Sequence, residues 1–121
     1  MASPDKTFAG KVVLVTGSTQ GLGACIARRF AERGAAVSLC GRSEEKGKAL
    51  AQTMVAAGSE AHFISADLSD AAACHRVVDE TLERFGRIDI LINSAADTRR
   101  SNVHSFTPEF FDYQFALNVR A

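Results

Sequence analysis

Short apolar runs alternate with amphipathic stretches along the chain from Lys11 onward. The runs at residues 11–16, 36–40, 61–66 and 88–92 are of strand length. The centre of the first run is continuously apolar and mostly β-branched, and Gly10 and Gly17 bracket the run. Such runs are typical of strands buried on both faces of a parallel sheet. Stretches of helical period separate them. The pattern predicts the order βαβαβαβα, which is the signature of an α/β fold.

The first two helices are predicted from residues that repeat on one face and from glycines that end them. The first is expected to bury Leu22, Ile26 and Phe30 and to end at Gly34. The second runs from about residue 43 to 57 and ends at Gly58. Its narrow buried face is predicted to contain Gly47, Leu50 and Met54.

The third and fourth helices have recognisable starts. Ser69 is predicted to cap the third helix, with Asp70 in its first turn and Gly86 as its end. Its buried face is expected to hold Val77, Val78, Thr81, Leu82 and Phe85. After a polar loop at 93–106, Thr107 and Pro108 are the expected cap and first residue of a helix that continues to Ala121.

Chain topology limits how these elements assemble. Right-handed crossovers carry the first three strands in one direction and return the fourth to the other side of the first, so the predicted strand order is 3-2-1-4. This is a Rossmann-type doubly wound sheet. Its switch point lies between strands one and four, and the residues that follow those strands, Gly17 and Asn93, are expected to meet at a ligand crevice.

The turn from Thr16 to Gly23 carries the strongest chemical signal. Gly17, Gly21 and Gly23 lie between a buried strand and a helix. Glycines there let the backbone turn sharply and approach a pyrophosphate, which the helix N-terminus attracts. A tight connection without a ligand is the alternative.

Composition narrows the classes of partner. Fourteen basic residues balance fourteen acidic ones, so no net field favours nucleic acid or an anionic membrane. Three cysteines without a Cys-x-x-Cys pair favour reduced thiols over a disulfide framework or a metal site. Neither a signal core nor a run of about 20 apolar residues is present, so a cytoplasmic location is expected. We expect one domain at 11–121 after a tail at 1–10.

The turn, together with three later segments, resembles the classical short-chain dehydrogenase/reductase family. Its pattern T-G-x-x-x-G-x-G is matched at 16–23. Asp67-Leu68 is similar to the family's adenine-contacting pair, and Asn118-Val119 to the helix asparagine and its neighbour near the nicotinamide. Residues 93–96 resemble the N-N-A-G segment but depart from it at Ser94 and Ala96.

The resemblance implies a set of site residues. Asn118 would be the catalytic member, and the cofactor-binding members would be Thr16, Gly17, Ser18, Thr19, Gln20, Gly21, Leu22, Gly23, Arg42, Ser43, Asp67, Leu68, Asn93, Ser94, Ala95 and Val119. No metal ligand is implied. Local roles are the alternatives for three of them: a turn-forming carboxylate at Asp67, a loop cap at Asn93 and a solvent-facing amide at Asn118.

The end of the second strand favours NADP(H) over NAD(H). NAD enzymes commonly place a carboxylate there for the ribose 2′-hydroxyl, whereas a 2′-phosphate is bound by arginine. This chain has Gly41, Arg42 and Ser43 at that point. A solvated Arg42 is the alternative.

The resemblance also implies an activity that the chain does not complete. Members interconvert an alcohol and a carbonyl on a small molecule, with a tyrosine and a lysine four residues later as the acid apparatus. The one tyrosine, Tyr113, is followed at that spacing by Leu117. We therefore expect the N-terminal half of such an enzyme, cut within the last helix, without the C-terminal strands and inactive alone.

Two further expectations concern what this half would contact. The complete protein is expected to be a homo-oligomer, and the alternative function is a non-catalytic nucleotide-binding or subunit-interaction module. The loop at 98–106 offers Arg99 and Arg100 to an anionic substrate group, although a solvated loop is favoured.

Overall fold

The computed structural model describes residues 5–97, 99 and 101–121. Strands and helices alternate in this part of the chain, as the hydrophobic pattern predicts. The elements are β1 (Val12–Val15), α1 (Gly21–Glu32), β2 (Ala36–Gly41), α2 (Glu44–Ala56), β3 (Ala61–Ser65), α3 (Ala71–Phe85), β4 (Ile90–Ile92) and α4 (Pro108–Phe115), followed by a π-helical turn (Ala116–Arg120).

The four strands form one parallel sheet in the order β3-β2-β1-β4. Val13 of β1 lies opposite Val37 of β2 on one side and opposite Ile90 of β4 on the other. The predicted Rossmann-type order is confirmed, and the switch point falls between β1 and β4 as expected.

Both faces of the sheet are covered. Val13, Val15, Val37 and Leu39 point to the α1 and α2 side, where the Gly47, Leu50 and Met54 stripe of α2 is buried as predicted. The opposite face packs against α3 and the π-helical turn through a second cluster: Leu14, Cys40, Ile64, Ala66, Leu68, Ala73, Val77 and Leu117. This two-sided burial explains the continuous apolar runs.

The predicted buried face of α1 is wrong. Leu22 is 71% exposed, and Ile26 and Phe30 are only half-buried. The residues that face the sheet are small: Gly23, Ala24, Ala27 and Ala31. Small side chains let the helix axis lie close to β1 directly after the turn, so size rather than hydrophobicity selects the inner face.

The start and the buried face of α3 also differ from the prediction. Asp70, not Ser69, caps the helix by accepting a hydrogen bond from the Ala72 N–H. Of the five residues expected on the inner face, only Val77 and Thr81 are buried. Val78 and Leu82 are exposed and Phe85 is half-buried. The buried residues of α3 are spaced four apart and form a single line along the helix: Ala73, Val77 and Thr81.

The outer strands are shorter than predicted. β4 begins at Ile90 rather than Ile88, because Asp89 uses its carboxylate to accept the Val12 N–H at 2.8 Å and its own N–H to reach the Val12 carbonyl. Leu91 is exposed on this edge strand, so β4 is not fully buried. The start of α4 is confirmed, with Thr107 as cap and Pro108 in the first turn.

Candidate functional site

A cleft of about 510 Å³ opens at the carboxyl ends of the strands. Its lining includes most of the glycine turn and the segments after β2, β3 and β4: Gly17, Thr19, Gln20, Gly21, Leu22, Gly23, Gly41, Arg42, Ala66, Asp67, Leu68, Ser94, Ala95, Ala96 and Leu117. Topology places a crevice at this point independently of any motif.

A larger hollow of about 720 Å³ lies at the opposite, amino end of the strands, beside Lys11, Gly34 and Arg87. None of the predicted site residues lines it. Ligands of open α/β sheets bind outside the carboxyl ends of the strands. Size therefore does not identify the functional site in this fold.

Two glycines of the turn are required by close backbone packing. A Cβ atom on Gly17 would lie 2.6 Å from the Ala95 Cα, and one on Gly23 would lie 2.2 Å from the Gly17 carbonyl oxygen. Gly21 is different: its φ of +60° favours glycine, but among the described residues no heavy atom outside its own stretch of chain lies within 4 Å of the missing Cβ. Gly17 and Gly23 close the turn, and Gly21 leaves open space at the start of α1.

The hydroxyls of Thr16 and Ser18 point into the fold and away from the cleft. The Thr16 Oγ1 accepts the N–H groups of Ser94 and Ala95 at 3.0 and 3.1 Å. Ser18 is fully buried; its Oγ accepts the Cys40 N–H at 3.0 Å, and its own N–H donates to the Cys40 carbonyl at 3.1 Å. The Ser18 hydroxyl and N–H are thus used within the fold, and the Thr16 side chain positions the loop after β4.

Arg42 lies at the cleft's rim, where β2 ends. Its Nη1 donates to the Tyr113 hydroxyl at 2.9 Å. Ser43 is turned away, since its hydroxyl caps α2 by accepting the Lys46 N–H. A Cβ on Gly41 would lie 2.7 Å from the Thr19 Cγ2, so a larger residue at the end of β2 would require the Thr19 side chain to move.

Lys46 is a basic residue of this rim that sequence reasoning missed. Its Nζ donates to the Gln20 Oε1 at 2.9 Å, which ties the first turn of α2 to the glycine turn. Lys46 lies in the first turn of α2, three residues after the Ser43 cap, and a basic residue at the start of the helix that follows Arg42 is the signal that would have revealed it.

Asp67 lines the cleft and also forms a local turn. Its Oδ1 accepts both the N–H and the hydroxyl of Ser69, at 3.0 and 2.7 Å. Partial burial raises the pKa of Asp67, but the two Ser69 hydrogen bonds and the nearby charge of Arg42 outweigh it and leave the pKa below 3.8. Asp67 therefore lies in the cleft, where the functional interpretation expects it, and also forms the local turn of the alternative interpretation. Leu68 is buried beside it.

The segments after β4 and α4 contribute less than expected. Ser94, Ala95 and Ala96 line the cleft, but the exposed Asn93 does not. Asn118 and Val119 also lie outside the lining, and Val119 is 64% exposed. These three residues are not brought to the cleft, whereas Leu117 is.

Asn118 instead holds the loop that follows β4. Its Oδ1 accepts the Asp97 N–H at 2.7 Å and its Nδ2 donates to the Asp97 carbonyl at 3.0 Å. The π-helical turn carries the Asn118 side chain to this peptide. A π turn is a frequent feature of functional sites.

An ion pair beside the cleft was also missed. Asp97 is 8% exposed and receives Arg99 Nε at 2.9 and 3.0 Å and Nη2 at 2.5 Å. The Arg99 guanidinium lies 5.3 Å from the Phe110 ring centre and 5.6 Å from that of Tyr113. The hydrogen bonds from Arg99 hold the pKa of Asp97 below 3.8.

This pairing changes the interpretation of the loop. Because Asp97 neutralises Arg99, that guanidinium is not available as a free anion contact. Thr98 and Arg100, the other residues of the predicted substrate-side loop that bear on this point, lie outside the described residues. Two residues apart in a loop, Asp97 and Arg99 carry no periodic signal that would have predicted the pair.

Within residues 5–97, 99 and 101–121, no group of three or more His, Cys, Asp or Glu side chains is arranged to hold a metal ion. Over the same part of the chain, no helix is both long enough and apolar enough to cross a membrane.

Comparison with known proteins gives concordant matches. The family model described as short chain dehydrogenase matches residues 11–121. An uncharacterized oxidoreductase of Thermotoga maritima is 43% identical over 113 residues, which are 93% of this chain and 44% of that protein. The 2,5-dichloro-2,5-cyclohexadiene-1,4-diol dehydrogenase LinX of Sphingobium indicum is 37% identical over 114 residues, covering 94% and 46%.

Solved structures show the same likeness. A short chain dehydrogenase from Burkholderia cenocepacia in complex with NADP has a TM-score of 0.89 and 38% identity, covering 93% of this chain and 46% of that one. A metagenomic short-chain oxidoreductase in complex with NADP has a TM-score of 0.87 and 36% identity, covering 93% and 52%. The chain spans about half the length of the relatives it matches.

Proposed function

The chain belongs to the short-chain dehydrogenase family, and from that premise we propose that it is the cofactor-binding portion of an NADP(H)-dependent oxidoreductase that interconverts an alcohol and a carbonyl. The observation that carries the cofactor assignment is Arg42 at the rim of the cleft, directly after Gly41 at the end of β2. A guanidinium at this point suits a 2′-phosphate, and a carboxylate would repel it.

The start of α1 fits a pyrophosphate. The side chains of Ser43, Asp70 and Thr107 cap α2, α3 and α4, but Gln20 makes no such cap for α1. The first turn of α1 carries no acidic side chain. Its N–H groups are therefore left for an anionic group, next to the open space at Gly21.

The remaining contacts follow from position along the cleft. Arg42 would receive the 2′-phosphate, Asp67 and Leu68 would lie by the adenine, and Ala95 and Ala96 would lie on the nicotinamide side. Asn118 would act through the loop it holds at Asp97. The bound cofactor would supply hydride transfer, and these residues would bind and orient it.

Proton transfer is a separate requirement. The one tyrosine, Tyr113, accepts a hydrogen bond from Arg42 and is followed four residues later by Leu117, so it does not have the lysine partner of a tyrosine acid. We propose that this chain binds the cofactor but does not by itself carry out turnover. The proposed whole protein acts on a small molecule in the cytoplasm.

A subunit-interaction role is the second candidate function. Phe111 and Phe115 of α4 are each about half exposed, and so is Leu91 on the edge strand β4. Exposed apolar surface of this kind favours association, in line with the expectation of a homo-oligomer. Analytical ultracentrifugation from 1 to 100 µM, as an approximate range, tests it. A monomer throughout would rule out self-association of this chain.

The cofactor assignment is tested by titrating NADPH and NADH into the 121-residue chain. Arg42→Asp is expected to weaken NADPH binding far more than NADH binding, because it replaces an attraction to the 2′-phosphate with a repulsion. Arg28→Asp, at an exposed position of α1 away from the cleft, is the control for the same charge change. Equal losses for the two nucleotides in Arg42→Asp would contradict the 2′-phosphate assignment.

A further inference from the structure

The contact between Arg42 and Tyr113 joins two distant parts of the chain. The donor Nη1 and the acceptor hydroxyl lie 2.9 Å apart, although the residues are separated by 71 positions. Arg42 is otherwise an exposed side chain with several rotatable bonds. A side chain of this kind loses rotamer freedom when it binds a phosphate, so a contact that restrains it beforehand favours binding.

Tyr113 is itself well held. It is half-buried and packs against the core cluster that contains Leu117. Its ring also faces the Arg99 guanidinium at 5.6 Å, and Arg99 is bound to Asp97. The hydroxyl that Arg42 reaches therefore has a fixed place on the cleft's rim.

The chemistry of the acceptor preserves the charge of Arg42. Asp67 and Asp97 both attract this guanidinium electrostatically. Direct pairing with either carboxylate would neutralise it, whereas a phenol oxygen is a neutral acceptor. A guanidinium has five N–H donors, so one bond to Tyr113 leaves a free edge for two bonds to a phosphate.

We propose that Tyr113 is a positioning residue for cofactor selectivity: it holds Arg42 at the cleft's rim, charged and oriented, to receive a 2′-phosphate. This inference rests on the proposed NADP(H) binding. Tyr113 acts through Arg42, and its hydroxyl is the atom that matters.

The test uses two probes that differ only in the 2′-phosphate, adenosine 2′,5′-bisphosphate and adenosine 5′-monophosphate, titrated calorimetrically into the 121-residue chain. Tyr113→Phe is expected to weaken bisphosphate binding about three- to tenfold, the effect of one hydrogen bond, and to leave monophosphate binding unchanged. Phe111→Tyr, an equally small change of one oxygen at an exposed position of the same helix, is expected to change neither affinity.

A double-mutant cycle separates positioning from a general structural effect. In an Arg42→Gln background, Tyr113→Phe is expected to cause no further loss of bisphosphate affinity. Equal weakening of both probes by Tyr113→Phe, no weakening of either, or a loss that persists in the Arg42→Gln background would each overturn the role of Tyr113.

The same titrations distinguish failure of the proposed function. If the unaltered chain binds both probes equally, or if Arg42→Gln keeps the full preference for the bisphosphate, the NADP(H) assignment fails and the inference fails with it. If the preference exists and depends on Arg42 but not on Tyr113, only the inference fails. Thermal unfolding of each variant verifies that the fold is retained.

Discussion

Thr16 and Ala95, 79 residues apart, are joined by a hydrogen bond of 3.1 Å from the Ala95 N–H to the Thr16 Oγ1. The same oxygen accepts the Ser94 N–H, so one buried side chain directly after β1 fixes the backbone that follows β4. Ala95 also lies against Gly17, and this contact forms the floor of the cleft between the two strands.

Thr16→Val is expected to destabilise the chain by about 2–4 kcal/mol, because it leaves two N–H groups without their acceptor while keeping the side-chain volume. Thr16→Ser retains the oxygen and is expected to cost about 1 kcal/mol or less. Urea unfolding measures both. Similar losses for valine and serine would show that the hydroxyl does not hold the loop.

Gly17→Ala and Gly21→Ala separate backbone strain from steric clash. The two residues have nearly the same φ, +61° and +60°. Alanine at either position takes on the left-handed cost of about 1–2 kcal/mol, but only at Gly17 does the new Cβ meet backbone, at 2.6 Å from the Ala95 Cα. We expect Gly17→Ala to lose at least about 2 kcal/mol more than Gly21→Ala. Equal free energies of unfolding would contradict this packing.

The buried hydroxyls of Ser38 and Thr81 lie 2.7 Å apart between β2 and α3. Thr81 donates its proton to the Val77 carbonyl, so Ser38 donates to Thr81. Thr81→Val is expected to cost about 1–3 kcal/mol, since it leaves the Ser38 hydroxyl unsatisfied. In the double variant Ser38→Ala/Thr81→Val both partners are gone, so its loss in urea unfolding is expected to be smaller than the sum of the single losses. Additive losses would count against the pair.

Asp97 predicts an acid-dependent stability. The hydrogen bonds from Arg99 lower its pKa in the folded chain below 3.8, so the carboxylate stabilises the fold above that value and the contribution is lost as the pH falls through the folded-state pKa. The stability deficit of Asp97→Asn is therefore expected to be largest above about pH 5 and to shrink as the pH falls below about 4.

Chemical unfolding of the unaltered chain and of Asp97→Asn at a series of pH values checks this dependence. Asp112→Asn, which removes one exposed carboxylate from α4, is the control for loss of a negative charge. A deficit of constant size from neutral to acid pH would show that the pairing with Arg99 does not stabilise the carboxylate.

The purified 121-residue chain is expected to bind NADPH yet to reduce no carbonyl and oxidise no alcohol, because Tyr113 has no lysine four residues later. Absorbance of the nicotinamide, followed with a panel of carbonyl compounds, measures turnover. Turnover by protein of verified mass would refute the division between cofactor binding and proton transfer.

The fold could be predicted from the sequence because hydrophobic periodicity is visible in short segments of the chain and the handedness of crossovers is a general rule. The alternation of elements, the strand order and the place of the crevice all follow from apolar runs and right-handed crossovers. The predicted buried faces of α1 and α3 were wrong because burial there depends on side-chain size and on how many residues of the helix reach the sheet. Leu22 was expected inside because it is apolar, but the small residues Gly23 and Ala24 take that face.

The site was only partly predictable, since several of its contacts join residues far apart in the chain. Gly17, Arg42 and Asp67 reach the cleft as expected. The contact of Arg42 with Tyr113 depends on how α4 returns over the sheet, which no local pattern reports. For Ser18, a motif position marked a residue whose hydroxyl and N–H both bind Cys40 inside the fold.

The Asn118 amide forms a pair of hydrogen bonds with the Asp97 N–H and carbonyl, in which each side supplies one donor and one acceptor. This pairing decides which way round the amide lies, because a reversed Asn118 would set N–H against N–H and oxygen against oxygen. One N–H and one lone pair remain on the outer edge of the amide. The Asp97 backbone thus orients the Asn118 amide, whose outer edge offers one donor and one acceptor in fixed positions to a group that approaches from that side.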